Sequence, residues 1–217
     1  MGTETNSTRR IPKVVLTGGP SAGKTTALRH LRTRLADMGY AVFVLNEVVT
    51  GLHEAGVDIA VAAYGYNEWE FQQHLLELQI RLEDSLEAMA RLSAGDRPAV
   101  ILCDRGAVDS AGWMGLDRFE QLTAQSGRTL DDLYGRYSGV VALVTSADGA
   151  DDAYMRNTLR PGDTEASRAL DRKIQAVWEP HPRCVTVADF EDGKPVSFDE
   201  KLERVVEAVV GLLAAES

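Results

Sequence analysis

The sequence predicts a three-layer α/β domain, a parallel five-stranded sheet with helices on both faces. Three observations predict it. Short apolar runs alternate along the chain with stretches of helical spacing. The apolar runs are continuous rather than alternating, as expected of strands buried on both faces. The 217 residues, 44% of them hydrophobic and 26% charged, suit one globular domain of ordinary size.

Residues 1–10 are polar and aperiodic and predict a flexible tail; residues 11–217 are read as a single domain. Lys13-Val14-Val15-Leu16-Thr17 is the first strand, stopped by Gly18-Gly19-Pro20. Leu28, Leu31, Leu35 and Met38 carry a helix that Gly39 ends. Ala41 to Leu45 is the second strand. Residues 48–66 are rich in glycine and alanine and predict a loop or a short irregular helix. A long amphipathic helix runs from about Glu68 to Leu92. Asn67 is its N-cap, and Phe71, Leu75, Leu78, Leu82, Leu86 and Met89 form its expected buried face. Ala99 to Cys103 is the third strand, and residues 107–139 predict helix interrupted by glycines. Val140 to Val144 is the fourth strand, and residues 148–162 are polar. Thr164 to Trp178 is helical through Leu170, Ile174 and Val177, and Cys184 to Val187 is the fifth strand. Ser197 and Glu200 form the capping box of a last helix. Its stripe is Leu202, Val205, Val206, Val209, Val210 and Leu213.

Lysine plus arginine number 23 and aspartate plus glutamate 33, a net charge of −10. So negative a surface argues against general nucleic-acid or anionic-lipid partners, though not against a small anion held in a local pocket. No stretch approaches the roughly 20 apolar residues of a membrane span, and Met1 to Arg10 lacks the apolar core of a signal peptide. Cys103 and Cys184 sit in apolar runs, which suits reduced thiols, although a pair is open in principle. A cytoplasmic address is expected.

The turn after the first strand carries the strongest chemical signal. Gly18-Gly19-Pro20-Ser21-Ala22-Gly23-Lys24-Thr25 matches G-x-x-x-x-G-K-[ST] at every fixed position, between a strand and a helix. Glycines at 18 and 23 let backbone N–H groups turn inward onto phosphate oxygens at a helix N-terminus. Lys24 supplies a mobile charge for the β- and γ-phosphates, and the Thr25 hydroxyl is placed for Mg²⁺. Thr26 completes the nucleotide-binding set.

Ligands of such sheets sit beyond the carboxyl ends of the strands. Glu47 follows the second strand, and Asp104 and Arg105 follow the third. Asp104 is expected to orient the Mg²⁺ shell, and Arg105 to clamp phosphate in a fork. Glu47 can take a proton from an acceptor hydroxyl, or be a solvated acid. Asp109 is a further candidate. Trp113, Tyr64 and Tyr66 can stack on a planar substrate, although core packing is the commoner fate of such rings. Arg156 and Arg160 straddle the turn before Pro161-Gly162, within an arginine-bearing lid at about 148–165 expected to neutralise a transferred phosphoryl group.

These residues together resemble the small P-loop kinases of the nucleoside and nucleotide type. A closer resemblance is to the ATP/GTP-binding family grouped with the ribosylnicotinamide kinase domain and the TRPL-translocation-defect proteins. That group has a Gly-Gly-Pro P-loop and an Asp-Arg-Gly-x-x-Asp block. It also has an arginine–glutamate stretch leading to a spaced Trp and His-Pro. Here these stand as Gly18-Gly19-Pro20, as Asp104 to Asp109, and as Arg160 to Glu165 followed by Trp178 and His181-Pro182. Arg160 and Glu165 lie further apart than the group's close pair. Phe71-Gln72 resembles a position that touches the base in deoxynucleoside kinases.

The expected function is phosphotransfer from Mg·ATP to a hydroxyl of a small, nucleoside-like acceptor, with GTP as the alternative nucleotide and a homodimer allowed. The other reading is an ATP- or GTP-binding switch, or slow NTPase, that works through a protein partner. The Asn-Lys-x-Asp signature of guanine readers is absent, Thr145-Ser146-Ala147-Asp148 being the nearest string.

Overall fold

The computed structural model of the chain describes residues 10–19, 22–63, 67–144, 164–191 and 194–215. The central sheet is made of β1 (Lys13–Thr17), β2 (Ala41–Leu45), β3 (Ala99–Asp104), β4 (Gly139–Leu143) and β5 (Cys184–Val187), in the order β2-β3-β1-β4-β5. Every pairing is parallel. The expected fold class is therefore the observed one.

Each strand feeds both faces of the sheet because successive side chains point in opposite directions. Val14 and Leu16 join Val100, Leu102, Val141 and Leu143 beneath α1 (Lys24–Asp37). Val15, Ile101, Cys103 and Val140 join the opposite core with Phe119, Ile174 and Trp178. Each such side chain, fully buried, contributes about 1.5–3 kcal/mol, which is why the runs read as continuous in sequence.

Chain segments between strands supply the outer layers. After β2 come α2 (Val48–Glu54), α3 (Ile59–Ala62) and α4 (Glu68–Ser93). After β3 come α5 (Asp109–Met114), α6 (Leu116–Gln125) and α7 (Leu130–Tyr134). Helix α8 (Thr164–Trp178) precedes β5. A two-stranded antiparallel ribbon, β6 (Phe190–Glu191) and β7 (Lys194–Pro195), leads to α9 (Phe198–Ala214). The ribbon was not foreseen, since two residues per strand leave no periodicity to detect.

Three local expectations need correction. Helix α4 buries Gln72, Leu76, Gln79, Ile80, Glu83 and Ala90, whereas Leu82 is 38% exposed and Met89 55%. The apolar residues of α4 form two adjoining rows, and the more polar row faces inward. Pattern alone cannot see that Gln79 donates to Glu83 inside the protein. Asn67 stands at the N-cap of α4 without a side-chain cap bond. At α9, Ser197 Oγ accepts from the Glu200 N–H, but the Glu200 carboxylate takes Arg204, so half of the expected box forms. Cys103 and Cys184 are both free thiols.

Candidate active site

The phosphate-type loop leaves β1 at the centre of the sheet. Gly18 has φ 132°, and a Cβ there would lie 2.2 Å from the Leu143 carbonyl oxygen, so only glycine fits. Gly23 has φ 89° and caps α1 in the left-handed region. No side chain caps α1 and no acid stands in its first turn, which leaves the positive end of the helix to an anion. Lys24 is buried, and its Nζ donates to the carbonyls of Gly18 (3.0 Å) and Gly19 (2.8 Å). Ala22 is buried, Thr26 half-buried and Thr25 exposed. Pro20 and Ser21 lie outside the described residues.

Two residues that carried no sequence signal buttress this loop. Lys201 of α9 is buried and donates to the Ala22 carbonyl at 3.3 Å and the Val144 carbonyl at 3.0 Å. Asp171 of α8 accepts the Gly19 N–H at 2.5 Å. A contact across 152 residues leaves no local trace in the sequence.

The ends of β2 and β3 meet beside the loop. Strand β3 runs one residue further than expected, pairing Asp104 with Leu16. Asp104 is buried, and its Oδ1 has no hydrogen-bond partner among the described residues. Together with the exposed Thr25 in the same groove, that orphaned oxygen fits a hydrated divalent cation, which takes only one or two protein oxygens. The next residue, Arg105, has φ 72°, the one positive φ outside glycine among the described residues, a conformation costing about 1–2 kcal/mol. Its Nε donates to Glu47 Oε1, and its Nη1 lies 3.3 Å from the Gly18 carbonyl and 3.5 Å from Asp109. Glu47 Oε2 accepts from Thr50 at 2.7 Å. Both oxygens of Asp109 are engaged, one by the Thr17 hydroxyl and one by the Gly106 N–H.

Burial and charge tune this cluster. Burial lowers Lys24 to about 8, Arg105 adding to the effect and Asp104 opposing it. Burial raises Asp104 to about 6 against the pull of Lys24. Burial also pushes Glu47 upward, but Arg105, Thr50 and Lys24 outweigh it and leave its carboxyl below the usual range. Burial works against the Arg105 charge, and Asp109 and Glu47 more than compensate.

Next to the cluster lies a mainly apolar cavity bounded by α2, α3, α4 and α5. Val48, Ile59, Phe71 and Trp113 line it, with Glu47 and Arg105 on its floor. Gln72 is 5% exposed, and its Oε1 lacks a partner among the described residues. Trp113 is 46% exposed and stands at the wall rather than in the core. Glu47 also borders a more open groove with Thr25, Arg29 and Asp104. His53 is exposed and outside both. Tyr64, Tyr66, Arg156 and Arg160 lie outside the described residues.

A family model described as an AAA domain matches residues 13–193. The chain belongs to this AAA-domain family. No curated protein matches the chain. Among solved structures, this AAA-domain protein is similar to thymidylate kinase from Ehrlichia chaffeensis. The TM-score is 0.57 at 15% identity, over 94% of this chain and 100% of that one. It is also similar to the NadR protein in complex with NR, with a TM-score of 0.59 at 17% identity. That match spans 94% of this chain and 52% of the NadR chain, so the protein covers about half of NadR. Its fold is that of the nucleotide-kinase-like P-loop ATPases.

Proposed function

We propose that this protein transfers a phosphoryl group from Mg·ATP to a hydroxyl of a small, nucleoside-like acceptor. The observation that carries this reading is the apolar cavity whose floor is the Glu47–Arg105 pair, against the phosphate loop. A switch needs no such cavity; an acceptor does. Lys24, the loop amides and Thr26 hold the nucleotide phosphates. Thr25 and Asp104 hold Mg²⁺, which when bound neutralises charge on the β- and γ-oxygens. Glu47, fixed by Arg105 and Thr50, accepts the hydrogen bond of the acceptor hydroxyl and aims its oxygen. Its lowered pKa suits a late proton transfer, in keeping with a loose transition state. Arg105 steadies the phosphoryl group in flight, and Asp109 holds the turn that presents it. Arg156 and Arg160 are proposed as lid cations at about 148–165 of a single domain spanning 11–217.

The cavity charge narrows the acceptor. Arg105 is compensated by Glu47 and Asp109, and Glu68 by Arg118. With no spare cation among its described lining residues, the pocket favours a neutral or cationic compound over a phosphorylated one. Phe71 and Trp113 would hold a planar ring, and Gln72 its polar edge. The test is product analysis with Mg·ATP and a panel of nucleosides, nucleotides and hydroxylated metabolites. Phosphorylated acceptor formed in step with ADP supports the reading. Slow ADP release that ignores every acceptor and quickens with a protein partner overturns it in favour of the switch.

A further inference from the structure

Arg105 needs its left-handed backbone to reach Glu47 and the Gly18 carbonyl together, and something must hold that turn. The Arg105 N–H is bonded to the Leu16 carbonyl and the Gly106 N–H to Asp109. The Gly106 carbonyl accepts from the Asp109 N–H, and two further polar groups of the turn face α4 and Tyr137, two residues before β4. The Arg105 carbonyl faces Gln79 Nε2 at 3.5 Å, and the Ala107 N–H donates to the Tyr137 hydroxyl at 2.6 Å. Both partners end on one atom. Gln79 donates to Glu83 Oε1 at 2.9 Å, and Tyr137 donates to the same oxygen at 2.7 Å.

Glu83 is fully buried. Its other oxygen accepts from Arg136 Nε at 2.9 Å and lies 3.9 Å from the buried Lys13 ammonium. Burial, and then the Glu83 charge, push the Tyr137 phenol well above its ordinary range, so it keeps the proton it donates. A buried carboxylate with its cations is a weak means of gaining stability, since apolar residues of the same volume serve as well. What such a network supplies is geometry.

We propose that Glu83 is a positioning residue for Arg105: it fixes Gln79 and Tyr137, and these hold residues 105–107 in the turn that aims the guanidinium at Glu47 and the phosphate loop. The proposal rests on the role of Arg105 in phosphotransfer only for its consequence in turnover; the aim itself can be read directly.

The reporter is the Nε–H signal of Arg105 in proton–nitrogen NMR, assigned by its loss in Arg105→Lys. In the parent protein the bond to Glu47 slows its exchange with water. Tyr137→Phe cuts the link between Ala107 and Glu83 without adding bulk. The expected result is exchange at least ten-fold faster, kcat lowered about ten-fold, and the KM for ATP unchanged. Glu83→Gln is the second variant, and Tyr137→Phe decides alone should Glu83→Gln not fold. Leu35→Ala, which opens a void in the core on the opposite face of the sheet, is expected to lower Tm and leave the Arg105 signal in place. A folded Tyr137→Phe protein with the parent's Arg105 exchange rate overturns the proposal, whatever its turnover. Faster exchange in a protein that phosphorylates no acceptor supports the positioning role and removes only the reading of the reaction.

Discussion

The Arg105 guanidinium bonds the Glu47 carboxylate and joins the ends of β3 and β2, 58 residues apart in sequence. Neither group is fully buried: the Arg105 side chain is 13% exposed and that of Glu47 30%. Their coupling is expected to be about 1 kcal/mol in a double-mutant cycle of thermal stability. In turnover the pair matters more. Glu47→Gln keeps the shape and loses the charge that orients the acceptor hydroxyl, so kcat is expected to fall about 10²-fold. The KM for ATP is expected to change less than kcat, although Glu47 borders the groove of Thr25 and Asp104 as well as the acceptor cavity. Steady-state kinetics with the identified acceptor checks both values, and an unchanged kcat removes Glu47 from the chemistry.

Lys24 and Asp104 are expected to set the pH range of nucleotide binding. Asp104 titrates at about 6 and Lys24 at about 8. Between these values the carboxylate is ionised and the ammonium protonated, as Mg·ATP requires. Affinity is expected to fall by about ten-fold per pH unit below the first and above the second. Calorimetry from pH 5 to 9 checks this, and Asp104→Asn should remove the acid limb. For stability without nucleotide the sign is opposite to that of an ordinary surface acid. The folded pKa is raised, so between about pH 4 and 6 the folded state keeps a proton that the unfolded state releases. Stability therefore falls as pH rises through that window, by on the order of 3 kcal/mol, and Asp104→Asn should flatten the slope.

The architecture was legible in the sequence because every strand but the small ribbon is a continuous apolar run in a sheet covered on both sides. The phosphate loop was legible because its spacing is fixed by backbone geometry at Gly18 and Gly23. Glu47, Asp104 and Arg105 could be placed at one crevice from their positions at strand ends, since parallel topology brings those ends together. What escaped were contacts made at long sequence distance. Asp171 reaches Gly19, and Lys201 reaches Ala22, with no periodicity to announce either. The inward row of α4 escaped for a different reason. Its polar side chains Gln72 and Gln79 face the cavity and the Arg105 turn, and a polar row that faces inward is invisible to the hydrophobic pattern.

Asp171 makes a prediction of its own. Its carboxylate accepts from a loop amide that is proposed as a donor to phosphate. Asp171→Asn retains an oxygen to accept the Gly19 N–H and removes a negative charge from the neighbourhood of a polyanion. Mg·ATP is therefore expected to bind about five-fold tighter, an effect of about 1 kcal/mol that shrinks as salt is raised. Titration calorimetry at two ionic strengths checks it. Weaker binding, or an effect indifferent to salt, would mean that Asp171 acts by shaping the loop.

Gln72 offers a test in which stability and function move in opposite directions. Its Oε1 is buried without a partner among the described residues, an arrangement that costs about 1–3 kcal/mol. Replacing it by methionine keeps a flexible side chain of similar length and removes the unsatisfied oxygen. Gln72→Met is therefore expected to raise Tm by about 2–4 °C for each kcal/mol recovered. The same change deletes an amide that lines the cavity together with Phe71 and Trp113. An acceptor that donates a hydrogen bond to that oxygen should bind at least ten-fold more weakly, while one lacking the donor should be indifferent. A residue retained only for packing would lose stability without touching acceptor choice, so the paired measurement of Tm and acceptor KM separates the two cases.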